Sequence, residues 1–324
     1  MRFSRSVLTI LLFLLALTAL AQAPQCAYCK KVIDDRYVTV DGKPYHETCY
    51  QDHIQPRCAF CKKPIEGTYN IVEDKKYHTY CYADHIIPKC DICMEPLFGK
   101  YYTDFWGNSF HENHSRELSE CYTCGRLICA ELTQGGYDLS DGRALCSICN
   151  ETSVEGSFLL ESALSYVRGV LAFNGIDDLP DDLPITLVDS KQLKQLSETY
   201  SDDLHGFTDM NIKTIDGRIV SRKSHIYILS HLPLLMFKAV LAHELMHVYL
   251  FENGLDLRSD VREGFCNLGS ELVYKDSNSQ YAKFRLANMM ESKHPDYGIG
   301  YQKMSKLLEK RGWRYLLETL GEID

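Results

Sequence analysis

The stretch that decides the fold is "LAHELMHVYLF", Leu241–Phe251. In a helix His243 and His247 leave the same face one turn apart, with Glu244 beside them. The surroundings read as one helix over residues 234–252: Pro233 precedes it and Asn253-Gly254 closes it. Phe237, Val240, Leu241, Leu245, Val248 and Leu250 make that helix apolar enough to bury. Buried imidazoles beside a carboxylate are costly unless something compensates them, and a metal ion does so. The competing reading is two packed or solvated histidines.

A metal that activates water needs a third protein ligand and one open position. "SDVREGFCN" offers Glu263, sixteen residues beyond His247 on a second helix that Ser259 can cap and that runs to about Lys275. Asn267, four residues after Glu263, shares its face and can bond the far nitrogen of a ligand histidine. Upstream, Ser157–Phe173 reads as an amphipathic helix closed by Asn174-Gly175. "PITLVD" reads as a strand, "IKTIDGRIV" as a hairpin and "HIYIL" as a further strand able to serve as a sheet edge for an extended peptide.

Thirteen of the fourteen cysteines lie between Cys26 and Cys149. Cys26/Cys29, Cys58/Cys61 and Cys90/Cys93 open at intervals of 32 residues. The first two pairs are followed, sixteen residues on, by His46/Cys49 and His78/Cys81. The third is followed by His111/His114, and a fourth unit runs from Cys121/Cys124 to Cys146/Cys149. Such a repeat marks an array of small units, each offering four ligands. Turn signals at Asp41-Gly42 and Asp141-Gly142 would fold each second pair back onto the first. Two readings compete, zinc tetrahedra and disulfides. Disulfides leave unexplained the histidines that stand at cysteine-like positions, so the spacing favours zinc. Units this small take much of their folding energy from the metal. Cys129 and Cys266 fall outside the pattern as small packed residues, whereas Asp52, His53, Asp84 and His85 stand where they could exchange as ligands.

At 45% hydrophobic and 24% charged residues, the chain has the composition of an ordinary globular protein. Arg2 and Arg5 precede an apolar run from Ser6 to Leu20 and the small-residue site Ala19-Leu20-Ala21, a secretory signal with cleavage after Ala21; an uncleaved anchor is the alternative. Without those two arginines, 33 basic side chains face 44 acidic ones, a formal charge of −11. That excludes a non-specific grip on nucleic acid, and no other stretch is apolar enough for stable membrane insertion after signal cleavage. The expected product is exported, periplasmic or secreted.

The cysteine-rich half resembles the LIM zinc-finger family, about two modules over residues 26–149. It departs from the usual LIM spacing in the eight residues that separate Cys49 from Cys58. Known LIM modules bind other proteins. The second half resembles the gluzincin metallopeptidases, whose signature is H-E-x-x-H followed by a glutamate on a second helix. Together the halves resemble the LIM-linked zinc peptidases known from plant organ-size regulators, with relatives across bacteria, and the export signal fits a bacterial member. Plant members often carry ubiquitin-binding helices ahead of the fingers; here only the signal segment precedes Cys26, so ubiquitin dependence is not carried over.

The resemblance implies an α+β protein: residues 1–21 a signal peptide, 22–85 and 86–150 two pairs of LIM-like fingers, and 151–324 a zincin-type metallopeptidase domain. It further implies five zinc ions, one catalytic on His243, His247 and Glu263, and four structural on the finger ligands. Glu244 is then the general base of peptide hydrolysis, with a protein or peptide as substrate. Asn267 orients a ligand histidine. Among His294, Tyr297 and Tyr301 of "SKHPDYGIGY", Tyr297 is the expected oxyanion donor. A different class remains open: an adaptor whose fingers recruit a protein partner and whose peptidase domain is a scaffold. Glu244 favours the enzyme, since a scaffold needs no base between its ligands.

Overall fold

The computed structural model describes residues 23–197, 204–216 and 218–323; the export segment expected at 1–21 lies outside them. The chain divides between Ile87 and Pro88 into two compact units.

The first unit holds two fingers built on one plan. Strand β1 (Tyr37–Val40) pairs antiparallel with β2 (Lys43–His46), and β3 (Tyr69–Val72) with β4 (Lys75–His78). The turn residues Asp41 and Gly42 both have positive φ (50° and 73°), the left-handed geometry that suits a two-residue hairpin. Glu73 and Asp74 adopt the same conformation (47° and 61°) without a glycine. Each hairpin returns its second ligand pair to the first, held by Ala27 N–H to the Pro44 carbonyl and Ala59 N–H to that of Lys76. His53 stacks on Tyr28 at 4.2 Å and His85 on Phe60 at 4.1 Å. The two histidines among the possible exchange ligands are therefore engaged in ring stacks.

The second unit joins the other two fingers to the histidine-bearing half. Their hairpins are β5 (Tyr101–Thr103) with β6 (Ser109–His111), and β7 (Gly136–Asp138) with β8 (Ala144–Cys146). Residues 150–156, whose polar and aperiodic sequence suits a linker, are instead part of the fold. Strand β9 (Ser153–Val154) pairs antiparallel with β13 (Leu232–Pro233), and Val154 is fully buried. Two residues are too few to show periodicity, so this pairing leaves no sequence signal.

Strands β10 (Ile185–Val188), β11 (Gly206–Ile215) and β12 (Arg218–Leu229) form a sheet in the order β10-β12-β11. The "HIYIL" residues lie in β12, parallel to β10 on one side and antiparallel to β11 on the other. Both sides of that strand are occupied, which corrects its expected role as an edge; the edges are β10 and β11.

Helices α1 (Ser157–Phe173), α2 (Ser190–Leu196), α3 (Leu234–Glu252), α4 (Ser259–Lys275), α5 (Gln280–Glu291) and α6 (Tyr301–Thr319) complete the unit. Helix α3 buries Met236, Phe237, Leu241, Leu245, Val248 and Leu250 on all sides, which is why its sequence lacks a polar stripe. Helix α4 packs closely on α3. A Cβ at Gly269 would stand 2.9 Å from the Ala242 carbonyl oxygen, and Ser270 Oγ donates to the Ala239 carbonyl at 2.8 Å. Ser259 opens α4 without capping it; its hydroxyl donates to Asp296 at 2.9 Å.

The fourth finger is tied into this core by ionic bonds. Arg143 donates to Asp141 at 2.8 Å and to the Ser230 carbonyl at 3.0 Å, while Asp141 also accepts the Ser190 N–H at 2.9 Å. Burial pushes the Asp141 carboxyl up, but the Ser190 and Arg143 donors outweigh it and hold it below its ordinary value. Arg143→Ala should destabilise the second unit by about 3–5 kcal/mol, because it leaves a buried carboxylate uncompensated. Urea unfolding followed by far-UV circular dichroism reads the shift. A carboxyl held low stabilises above its ordinary range and loses that contribution as pH falls, so the variant should also show a shallower acid limb.

Candidate metal centres

Four finger quartets converge, in sequence order: Cys26, Cys29, His46, Cys49; Cys58, Cys61, His78, Cys81; Cys90, Cys93, His111, His114; and Cys121, Cys124, Cys146, Cys149. All fourteen cysteines are free thiols, so disulfide pairing is not what gathers them. The spacings are those of a tetrahedron. Zinc bonds of 2.3 Å to sulfur and 2.0–2.1 Å to nitrogen place ligand atoms roughly 3.5–3.8 Å apart. His46 Nδ1 lies 3.4 Å from Cys29 Sγ, His78 Nδ1 3.4 Å from Cys61 Sγ, and Cys124 Sγ 3.8 Å from Cys146 Sγ.

The far nitrogen of each first histidine faces a backbone carbonyl: His46 Nε2 that of Val32 at 3.2 Å, His78 Nε2 that of Pro64 at 2.9 Å, His111 Nε2 that of Pro96 at 3.2 Å. Donating there fixes the tautomer and leaves Nδ1 unprotonated toward the sulfurs. In the third finger His114 Nε2 is buried without a partner. Burial raises the Cys26 thiol, yet the backbone N–H groups of Cys29, His46 and Tyr28 outweigh it and hold it at about 6. Cys58 and Cys90 are held at about 6 in the same way. In these three fingers the turn thus favours thiolate at its first cysteine, the form that ligates metal. These clusters are consistent with zinc binding.

The fifth centre lies between α3 and α4. His243 Nε2 and His247 Nε2 are 3.1 Å apart, and Glu263 Oε2 is 3.3 Å from the first and 3.4 Å from the second. Three ligands of a tetrahedral zinc with bonds of 2.0–2.1 Å would stand roughly 3.3 Å apart. Glu263 Oε2 is buried and makes no hydrogen bond, whereas Oε1 accepts Arg262 Nε at 3.3 Å. Burial pushes the Glu263 carboxyl up, but the His243 and His247 imidazoles hold it well below the carboxylate range. Burial lowers His243, and Glu263, Glu244 and Asn267 reverse that, raising it overall. Two ring nitrogens and a carboxylate oxygen facing one another in a buried place fit a cation.

Asn267 serves both sides of this centre. Its Oδ1 lies 2.9 Å from His243 Nδ1, which leaves Nε2 free for the metal when Nδ1 carries the proton. Its Nδ2 donates to the Tyr297 carbonyl at 2.8 Å, on a wide helical turn over Pro295–Gly300. The Tyr297 ring faces His243 with centroids 6.2 Å apart. Burial, then the charges of Glu263 and Glu244, push the Tyr297 phenol well above its ordinary value, so it stays a donor. Of the other two candidates, His294 caps this turn through Nδ1, and Tyr301 is buried in the core.

Glu244 is 5% exposed. Its Oε2 accepts a 2.7 Å hydrogen bond from Thr208 on β11. The sequence reading passed over Thr208, which carries no local signal and meets Glu244 only through the pairing of β11 with β12. It also passed over Cys266 as a metal neighbour, although that buried thiol lies within 4.8 Å of both imidazoles.

Residues 26–87 match the LIM domain family, and residues 175–274 match the family described as DA1-like, Protein DA1. The chain therefore combines a LIM domain with a DA1-like region. Its relatives include Protein DA1-related 2 of Arabidopsis thaliana, 26% identical over 51% of this chain and 36% of that protein. LIM domain-containing protein HDR3 of Oryza sativa subsp. japonica is 26% identical over 52% and 39%. Protein DA1 of Arabidopsis thaliana is 24% identical over 55% and 40%. The match thus spans well under half the length of these relatives.

Asn267→Ala frees the His243 ring to turn and should weaken zinc at the fifth centre about 10–100-fold. Competition with a chromogenic chelator measures it: one ion per chain should become easier to remove while the finger zinc is unaffected.

Proposed function

We propose that this protein is an extracytoplasmic zinc-dependent endopeptidase whose LIM-like fingers dock or regulate protein partners. The observation that carries the reading is the triangle of His243 Nε2, His247 Nε2 and Glu263 Oε2 with edges of 3.1–3.4 Å, beside the buried carboxylate of Glu244. A general base next to the ligands suits hydrolysis, since a purely structural site has no use for one.

Zinc bound there acts as a Lewis acid, acidifying water and polarising a peptide carbonyl. Glu244 takes the proton of the attacking water and delivers it to the departing amine nitrogen. Asn267 keeps the His243 proton on Nδ1. Tyr297, held protonated, donates to the developing oxyanion. The edge of β11 offers its backbone N–H and C=O groups to an extended substrate. Exposed Tyr28, Tyr37, Phe60 and Ile71 give the first unit apolar contact area for a partner. Export accords with the segment at 1–21 and with the formal charge of −11 that remains without its arginines.

Glu244→Gln should retain all five zinc ions by native mass spectrometry and lose about 10²–10⁴-fold in cleavage of casein or a peptide library. Glu263→Gln should lose one ion of the five together with activity, and a chelator should abolish cleavage by the parent protein. A zinc-loaded protein that cleaves nothing, and that Glu244→Gln leaves indistinguishable, would instead be an adaptor.

A further inference from the structure

The two oxygens of Glu244 sit in different surroundings. Oε2 accepts Thr208 Oγ1 at 2.7 Å, and both side chains are almost wholly buried. Oε1 faces Gly206, where an added Cβ would stand 2.7 Å from Oε1, 3.0 Å from Glu244 Cγ and 2.8 Å from Val240 Cγ1. Gly206 and Thr208 are two apart on β11 and so address the same face. Their register is anchored, since Gly206 lies opposite Ile228 and Thr208 opposite Ile226, both fully buried. The His205 carbonyl accepts the Leu229 N–H at 2.9 Å, extending the ladder on the near side of Gly206.

We infer that β11 positions the base: Thr208 clamps Glu244 through Oε2, and Gly206 preserves the room that leaves Oε1 to handle the proton. The inference rests on the peptidase reading above and adds two positioning residues to it. A Glu side chain has three rotatable bonds, and a buried carboxylate fixed at one oxygen retains a single orientation for the other. The hydroxyl does this work, because Thr and Val share a shape and differ in that group. Serine keeps the group and gives up only a methyl.

The test compares Thr208→Val, Thr208→Ser and Gly206→Ala in the full chain loaded with zinc. Thr208→Val should lower kcat about 10- to 100-fold with KM changed less than threefold, and should keep five zinc ions. Thr208→Ser should recover most of kcat. Gly206→Ala should lower kcat because the methyl displaces Oε1. A second readout uses the zinc-loaded protein: the melting-temperature shifts of Thr208→Val and Glu244→Met should fail to add in the double variant, as expected of groups in contact. Thr208→Val with kcat within twofold of an active parent, or additive shifts, would overturn the inference. A parent that cleaves no peptide while the shifts remain non-additive would instead bring down the peptidase reading, and the catalytic role of the clamp with it.

Discussion

Two imidazole nitrogens and a carboxylate oxygen held 3.1–3.4 Å apart in a buried cleft set the terms for the rest of the second unit. Each of the three has given up water to come close, a cost that a positive charge among them offsets. The close packing of α4 on α3 is the means. Gly269 against the Ala242 carbonyl and Ser270 bonded to Ala239 fix the two helices at a distance where Glu263 reaches both rings. Depth explains the apolar surround of α3 as well.

The same unit shows how a finger can be built into the domain that follows it. The fourth quartet is fully buried, and its hairpin supplies Asp141 and Arg143 to α2 and to the Ser230 carbonyl. Just beyond it β9 pairs with β13, which leads directly into α3. Tyr281 of α5 donates to the Thr123 carbonyl at 3.0 Å, and Trp106 of the third finger donates to that of Cys124 at 3.0 Å. Arg126 lies over the Trp106 ring at 3.4 Å. Metal bound in this finger would therefore organise the strand and helix that precede the histidine pair, in addition to its own loop.

What the sequence revealed was local or repeated. The His243–His247 spacing and the 32-residue cysteine interval each fix a geometry within one helix or one finger. The bounds of α1 and α3 followed from punctuation such as Asn174-Gly175 and Pro233. Glu263 was legible because a second helix of known length must return across a short turn. What stayed hidden depends on pairing between distant segments. Nothing near Thr208 announces Glu244; nothing in Ser153–Val154 announces Leu232; and "HIYIL" does not reveal that β11 and β10 flank it. A serine before an apolar run reads as a cap whether its hydroxyl turns to its own helix or, like Ser259, to Asp296.

The contrast between the finger histidines and His243 shows how one chemistry is put to two uses. His46, His78 and His111 turn Nδ1 to the sulfurs and Nε2 to a carbonyl fourteen or fifteen residues earlier, so the bond that orients the ring is also part of the finger's own closure. In His243 the roles of the nitrogens are exchanged. Nε2 faces Glu263, and Nδ1 meets the side chain of Asn267, whose other end holds the Tyr297 turn. A backbone carbonyl can orient a ring and no more, whereas an amide side chain with both a donor and an acceptor ties the His243 ring to the turn over Pro295–Gly300 as well.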